Sequence, residues 1–307
     1  MGTPEFGVVV LQKLLQKGYE PILVVTAPDS PLGRKSILTP SPVKTLARMH
    51  GLTIKQPFRV IELKDEIKKI NPDLIIIAAY GYFIPKEIYE IPKFGALNVH
   101  PSLLPKFRGP SPIQTAIMEG ELVTGATIIK IDNEIDHGPI ITKKAIEMPP
   151  KIYYKDLEEK LAELGAELLV ETLPKWLTKE LIPQPQDDTL ASFTKIIKKE
   201  DGKIDWASST AQEIERKIRA LQPWPSTYTY WERENDKKTL KILEGEPTSL
   251  TEGKTPGFVY STEENKIIVL CKSGSLIVKK LQIEGRNPTT DKEFVLGYEG
   301  LIGGILK

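Results

Sequence analysis

Cysteine is almost absent from this chain: Cys271 is the only one in 307 residues. A lone thiol makes no intrachain disulfide, and without a Cys cluster no thiolate zinc site can form, which suits a reducing compartment. Long hydrophobic runs are missing too. The longest, Leu74 to Tyr80, falls far short of the ~18 residues that span a bilayer. The N-terminal residues carry no basic stretch ahead of an apolar one, and the first cation is Lys13, so no secretory signal is expected. Nor does one sign of charge dominate. Lys and Arg number 42 against 41 Asp and Glu, a net charge of +1, which supplies no global attraction to nucleic acid or to an anionic membrane. The expectation is a cytoplasmic protein, monomeric, with no membrane partner.

What is present is ordinary globular chemistry. With 40% apolar and 27% charged residues, the chain can build about two domains of roughly 100–200 residues each. Residues 1–150 alternate strand-like and helix-like segments. Thr3 is placed to cap a first helix. Ile22–Ala27 and the β-branched run Leu74–Ala79 read as buried strands, and Ala96–His100 as a shorter one. A helix at 111–119, a strand at 124–131 and a long amphipathic helix at about 153–172 follow. Alternation of this kind implies an α/β domain with a doubly wound parallel sheet. The stretch Pro183–Asp188 reads as a linker. Beyond it, one helix at about 210–220 and five short strands between 226 and 283 suggest a small, OB-like β-barrel. The expected organisation is therefore a domain over 1–182, a linker over 183–202 and a barrel over 203–307.

The chemistry concentrates after Ala96. Alternate strand residues share a face, so Asn98 and His100 point one way and Leu97 and Val99 the other. Two polar groups at the carboxyl end of a central strand lie where open α/β sheets bind ligands. A frayed strand end with a structural Asn and a surface His is the plainer alternative. The acidic stretch from Asp132 to Asp136 fails as a calcium loop, because the twelfth position is Lys143 where a bidentate Glu is needed. Asp136 matters if it folds back beside His100, where a carboxylate would orient the imidazole; spacing alone does not decide this. No dinucleotide fingerprint follows a strand, and neither a Walker pattern nor a G-x-S-x-G elbow occurs.

The run Asn98-Val99-His100-Pro101-Ser102-Leu103-Leu104-Pro105, with Asp136 and Gly138, strongly resembles the folate-dependent formyltransferase family. Gly2 to Phe6, Pro28-Asp29, Gly33-Arg34, Pro40 to Lys44, Asp201 to Trp206 and Arg219 to Pro225 resemble its tRNA branch. The resemblance implies transfer of the formyl group of 10-formyltetrahydrofolate to the amino group of initiator methionyl-tRNA. It implies Asn98, His100 and Asp136 as catalytic residues. Ser102, Leu103, Leu104 and Pro105 would line the folate site, with Gly81 and Ile84 at the pterin end. Arg34 and Lys35 would reach the tRNA, the barrel would bind it as well, and no metal is implied. A formyltransferase acting on an amino-sugar nucleotide is the nearer alternative; a catalytically silent RNA- or folate-binding protein is the other. One departure stands out. Family members carry a short apolar strand before Gly-Thr-Pro, whereas here Met1 stands directly on that motif. The expected consequence is a gap of roughly 10 Å, two strand spacings, between Ile22–Ala27 and Leu74–Ala79. Either stability falls or another segment fills the slot.

Overall fold

The structure, a computed structural model, describes residues 1–32, 36–233, 236–251, 255–262 and 266–307. Arg34 and Lys35 lie outside the described residues. The chain divides into two compact units. Unit 1 comprises Met1–Pro112, Leu122–Met148 and Asp156–Lys195; unit 2 comprises Ile113–Glu121, Pro149–Lys155 and Ile196–Lys307.

Unit 1 opens with helix α1 (Glu5–Gln16), which has Pro4 at its N-cap and no side-chain cap. Thr3 serves another purpose than the capping the sequence predicts. Its hydroxyl donates to Tyr80 O at 3.2 Å and accepts from Ala27 N at 3.4 Å, joining the segments that follow Val25 and Ile77. Strand β1 (Val24–Val25) is followed by the hairpin β2 (Ser30–Leu32) and β3 (Ile37–Thr39). Helix α2 (Pro42–Met49) starts at Ser41, whose hydroxyl accepts from Lys44 N. Strand β4 (Ile54–Lys55) then pairs with β1 in parallel. Helix α3 (Lys64–Ile70) stops at Asn71, a left-handed residue of a type that tolerates that conformation.

The larger sheet begins with β5 (Ile75–Ile77) and, after the short helix α4 (Lys86–Tyr89), its parallel neighbour β6 (Ala96–His100). Helix α5 (Pro112–Glu119), nearly all grouped with unit 2, leads to β7 (Val123–Lys130) and then β8 (Ile140–Glu147). The strand order is β5-β6-β7-β8. Here the parallel pattern ends: β7 is antiparallel to β6, and β8 to β7. The connection from β7 to β8 is a short turn, and parallel pairing needs a crossover of about a dozen residues or more. Helix α6 (Tyr154–Leu177) covers the sheet. Leu157, Leu161, Gly165 and Leu168 recur at helical spacing on its buried face. A Cβ at Gly165 would come within 2.6 Å of Val99 Cγ1, so the helix seats directly on β6.

The slot between β1 and β5 is only begun. Gly2 N donates to Val25 O at 3.1 Å, and Ala78 N donates to Met1 O at 2.9 Å, with a parallel bridge between Gly2 and Ala78. The ammonium of Met1 is buried and donates to Ile76 O at 2.6 Å. Beyond it lies a cavity of about 340 Å³ walled by Val10, Leu14, Val24, Ile67, Ile75 and Leu173, among others. Met1 and Gly2 thus lie between β1 and β5, beside this cavity.

Unit 2 is an antiparallel barrel with helix α7 (Ala211–Ala220), which starts at a capping box between Thr210 and Glu213. Its strands are β9 (Thr227–Arg233), β10 (Asp236–Thr248), β11 (Val259–Ser261), β12 (Ile267–Leu270), β13 (Ser275–Ile283) and β14 (Thr289–Thr290). They run in the order β11-β12-β13-β10-β9, with β14 against β13. A last helix, α8 (Asp291–Gly297), buries Phe294 against Trp231. The C-terminal residues close the ring: Leu306 bridges to Trp231 of β9, and Ile305 to Phe258 beside β11. Among the described residues, no helix is long and apolar enough to cross a membrane.

Candidate active site

The polar end of β6 supplies the first two groups. Leu97 and Val99 are buried against the hydrophobic layer, while Asn98 and His100 share the other face. The imidazole of His100 is itself buried, with Nε2 at 3.0 Å from Phe107 O. Asp136 arrives from the turn between β7 and β8. Asp136 adopts a left-handed backbone, φ 52°. Two residues on, Gly138 lies so close to β7 that a Cβ there would stand 1.8 Å from Lys130 O. Only glycine permits that approach.

Bent in this way, the turn delivers the carboxylate of Asp136 onto both β6 side chains. Asn98 Nδ2 donates to Asp136 Oδ1 at 3.2 Å. His100 Nδ1 stands 3.6 Å from Asp136 Oδ2, and Gly109 N donates to that same oxygen at 2.9 Å. The amide, the imidazole and the carboxylate are thus brought together at the carboxyl end of a central strand. Each ring nitrogen of His100 faces an oxygen, Phe107 O at 3.0 Å and Asp136 Oδ2 at 3.6 Å.

The remaining candidates take different places. In the loop after β6, Ser102 and Leu104 are buried and hold the loop's shape. Ser102 Oγ donates to Lys106 O at 2.6 Å, and Thr127 Oγ1 donates to Ser102 O at 2.6 Å while accepting from Leu104 N at 3.2 Å. Leu103 and Pro105 keep partial exposure, and Leu103 packs over Gly125 of β7. Gly81, with φ 79°, and Ile84, which is buried, belong to the loop after β5. Because β5 and β6 are parallel, with Ile77 opposite Asn98, this loop leaves the sheet at the edge where the polar groups gather. Between Gly81 and Ile84 the loop exposes Tyr82 and Phe83, two aromatic faces that strand and motif patterns do not single out.

Residues after α6 also reach this region. Gln184 and Ile140 exchange backbone hydrogen bonds of 2.8 Å. Ser192 accepts from Arg108 N through its carbonyl at 2.9 Å and from Phe107 N through its hydroxyl at 2.9 Å. The stretch that composition marks as a linker therefore packs within unit 1 as far as Lys195, because its backbone groups find partners there. Nearby, His137 Nδ1 lies 2.7 Å from Asp132 Oδ2, and this hydrogen bond raises the pKa of His137 above its ordinary value. Among the described residues, no group of three or more His, Cys, Asp or Glu is arranged to hold a metal ion.

Comparison with known proteins follows the same division of the chain. Residues 1–173 match the formyl transferase family and residues 196–299 match the formyl transferase C-terminal domain. The methionyl-tRNA formyltransferase of Caldicellulosiruptor saccharolyticus is 42% identical over 312 residues, covering 100% of this chain and 98% of the relative. That of Citrifermentans bemidjiense is 39% identical over 308 residues, covering 100% and 95%. Among solved structures, the N-formyltransferase from Helicobacter canadensis, in complex with folinic acid and dTDP-3-aminofucose, is similar in fold. Its TM-score is 0.63 at 18% identity, covering 90% of this chain and 96% of that one. With both halves matched and relatives about 40% identical end to end, the chain belongs to the formyl transferase family.

Proposed function

We propose that this chain transfers a formyl group from 10-formyltetrahydrofolate to the amino group of initiator methionyl-tRNA, with Asn98, His100 and Asp136 as the catalytic residues. The observation that carries the reading is the convergence of the Asn98 and His100 side chains on the Asp136 carboxylate at the carboxyl end of β6. Relatives that align over the whole chain carry the name methionyl-tRNA formyltransferase. The sugar-modifying structural relative shares 18% of its sequence and speaks for the fold alone.

The residues fit such a donor. The loop holding Gly81 and Ile84 offers exposed Tyr82 and Phe83 to a flat aromatic ring, and Leu103 and Pro105 offer a partly exposed apolar wall. The donor supplies the one-carbon unit. When the amine lone pair adds to the formyl carbon, negative charge gathers on the formyl oxygen. Asn98 Nδ2 has a second hydrogen besides the one given to Asp136, and His100 carries a positive charge when doubly protonated. Each donor aimed at such an oxygen lowers the barrier by roughly 3–4 kcal/mol. Asp136 orients both groups and receives, directly or through water, the proton the amine loses. Positioned proton transfer of this kind adds about 10²–10⁴ in rate. The bond from the formyl carbon to the folate nitrogen then breaks, and that nitrogen takes up a proton.

The test is formyl incorporation. Purified protein is given 10-formyltetrahydrofolate with either methionyl initiator tRNA or an amino-sugar nucleotide. Formyl-methionyl-tRNA as the product is the expected outcome. Formylation of the sugar nucleotide alone, or formate release without an acceptor, would overturn the reading.

A further inference from the structure

We propose that Gln186 is a positioning residue for Asp136, with Arg108 fixing its orientation. The proposal rests on the reading of Asp136 as catalytic and extends it to a residue outside the motif.

Asp136 sits in a left-handed conformation, φ 52°, which needs outside support to persist. Gln186 supplies it. Its Nε2 donates one hydrogen to Asp136 O and the other to Gly138 O, both at 2.8 Å. The two carbonyls are that of Asp136 itself and that of Gly138 two residues on, so a single amide group ties the chain leaving Asp136 at two points. The opposite end of that amide is fixed as well: Arg108 Nε donates to Gln186 Oε1 at 3.0 Å. A flipped amide would set N–H against N–H at Arg108 and oxygen against two carbonyls.

Arg108 is 3% exposed, and a buried charge requires partners. Its Nη2 donates to Asp188 Oδ1 at 2.7 Å, and its guanidinium lies 5.9 Å from the centre of the Phe193 ring. Asp188 is held ionised by that hydrogen bond, which lowers its pKa. Arg108 also immediately precedes Gly109, whose N–H holds Asp136 Oδ2. The backbone of Asp136 is therefore fixed through Gln186 and its carboxylate through Gly109, and Arg108 adjoins both. The hydrogen bonds of Gln186 go to Asp136 O, Gly138 O and Arg108, so its action on chemistry passes through Asp136.

The experiment is a double-mutant cycle read by single-turnover formyl transfer to methionyl-tRNA, on the wild type, Gln186→Leu, Asp136→Asn and the double variant. Gln186→Leu should lower the rate about 10- to 100-fold, since displacement by ~1 Å costs on that scale. KM for both substrates should stay within about twofold. Gln186→Glu keeps the shape while removing the donor, and should lose as much with the fold intact by circular dichroism. In the Asp136→Asn background, adding Gln186→Leu should change the rate by less than about threefold, because a shared pathway is non-additive. Equal losses in both backgrounds, or no loss in either Gln186 variant, would overturn the proposal. An Asp136→Asn enzyme with the wild-type rate would instead overturn the reading of the site beneath it.

Discussion

The side-chain amide of Asn98 donates to the carboxylate of Asp136 at 3.2 Å, across a sequence separation of 38 residues. One hydrogen of that amide is thereby committed to a neighbour, and the proposed mechanism assigns the other to the substrate. Asn98→Ala removes both uses. We expect the single-turnover rate to fall about 10²–10³-fold, with little change in KM for tRNA. A variant that keeps a tenth of the rate would remove Asn98 from the chemistry.

Gly138 is held against β7 with no room for a side chain, the nearest obstacle being the backbone oxygen of Lys130. Gly138→Ala must push the turn outward or break the pairing behind it. Urea unfolding should show a loss of about 3 kcal/mol, the range of strongly strained substitutions, and Asp136 should be displaced with it. An unchanged denaturation midpoint would mean that the turn can relax.

His137 donates to Asp132, and its pKa is raised in the folded state. A raised folded value contributes stability that is full below the unfolded value of about 6.5 and disappears as pH climbs through the folded one. His137→Gln should therefore lower the thermal midpoint at pH 6 and leave it close to wild type at pH 9. A deficit that is the same at both values, or larger at pH 9, contradicts this assignment.

Much of this arrangement is legible in the sequence. The β-branched run ending in Ala79 and the alternation at Ala96–His100 are local patterns, and they placed Asn98 and His100 on one face of one strand end. The approach of Asp136 was a possibility the spacing could not decide, because it depends on a left-handed residue and on a glycine pressed against another strand. Gln186 was invisible for a different reason. A stretch rich in Pro and Gln has the composition of a linker, and nothing local marks its side chains as partners of carbonyls 48 and 50 residues away. Strand direction was only partly accessible: helix–strand alternation indicates parallel pairing, but β8 carries Lys143 and Lys144 on a partly exposed surface and escapes that pattern.

The closing of the barrel by its last residues has a consequence for synthesis. Lys307 exchanges backbone hydrogen bonds with Tyr230, and Leu306 donates to Gly257 O, so the ring lacks a stave until those residues have left the ribosome. Unit 1 has its full set of residues once Lys195 has emerged. The first unit can thus fold while translation continues, whereas the second must wait for residues 305–307.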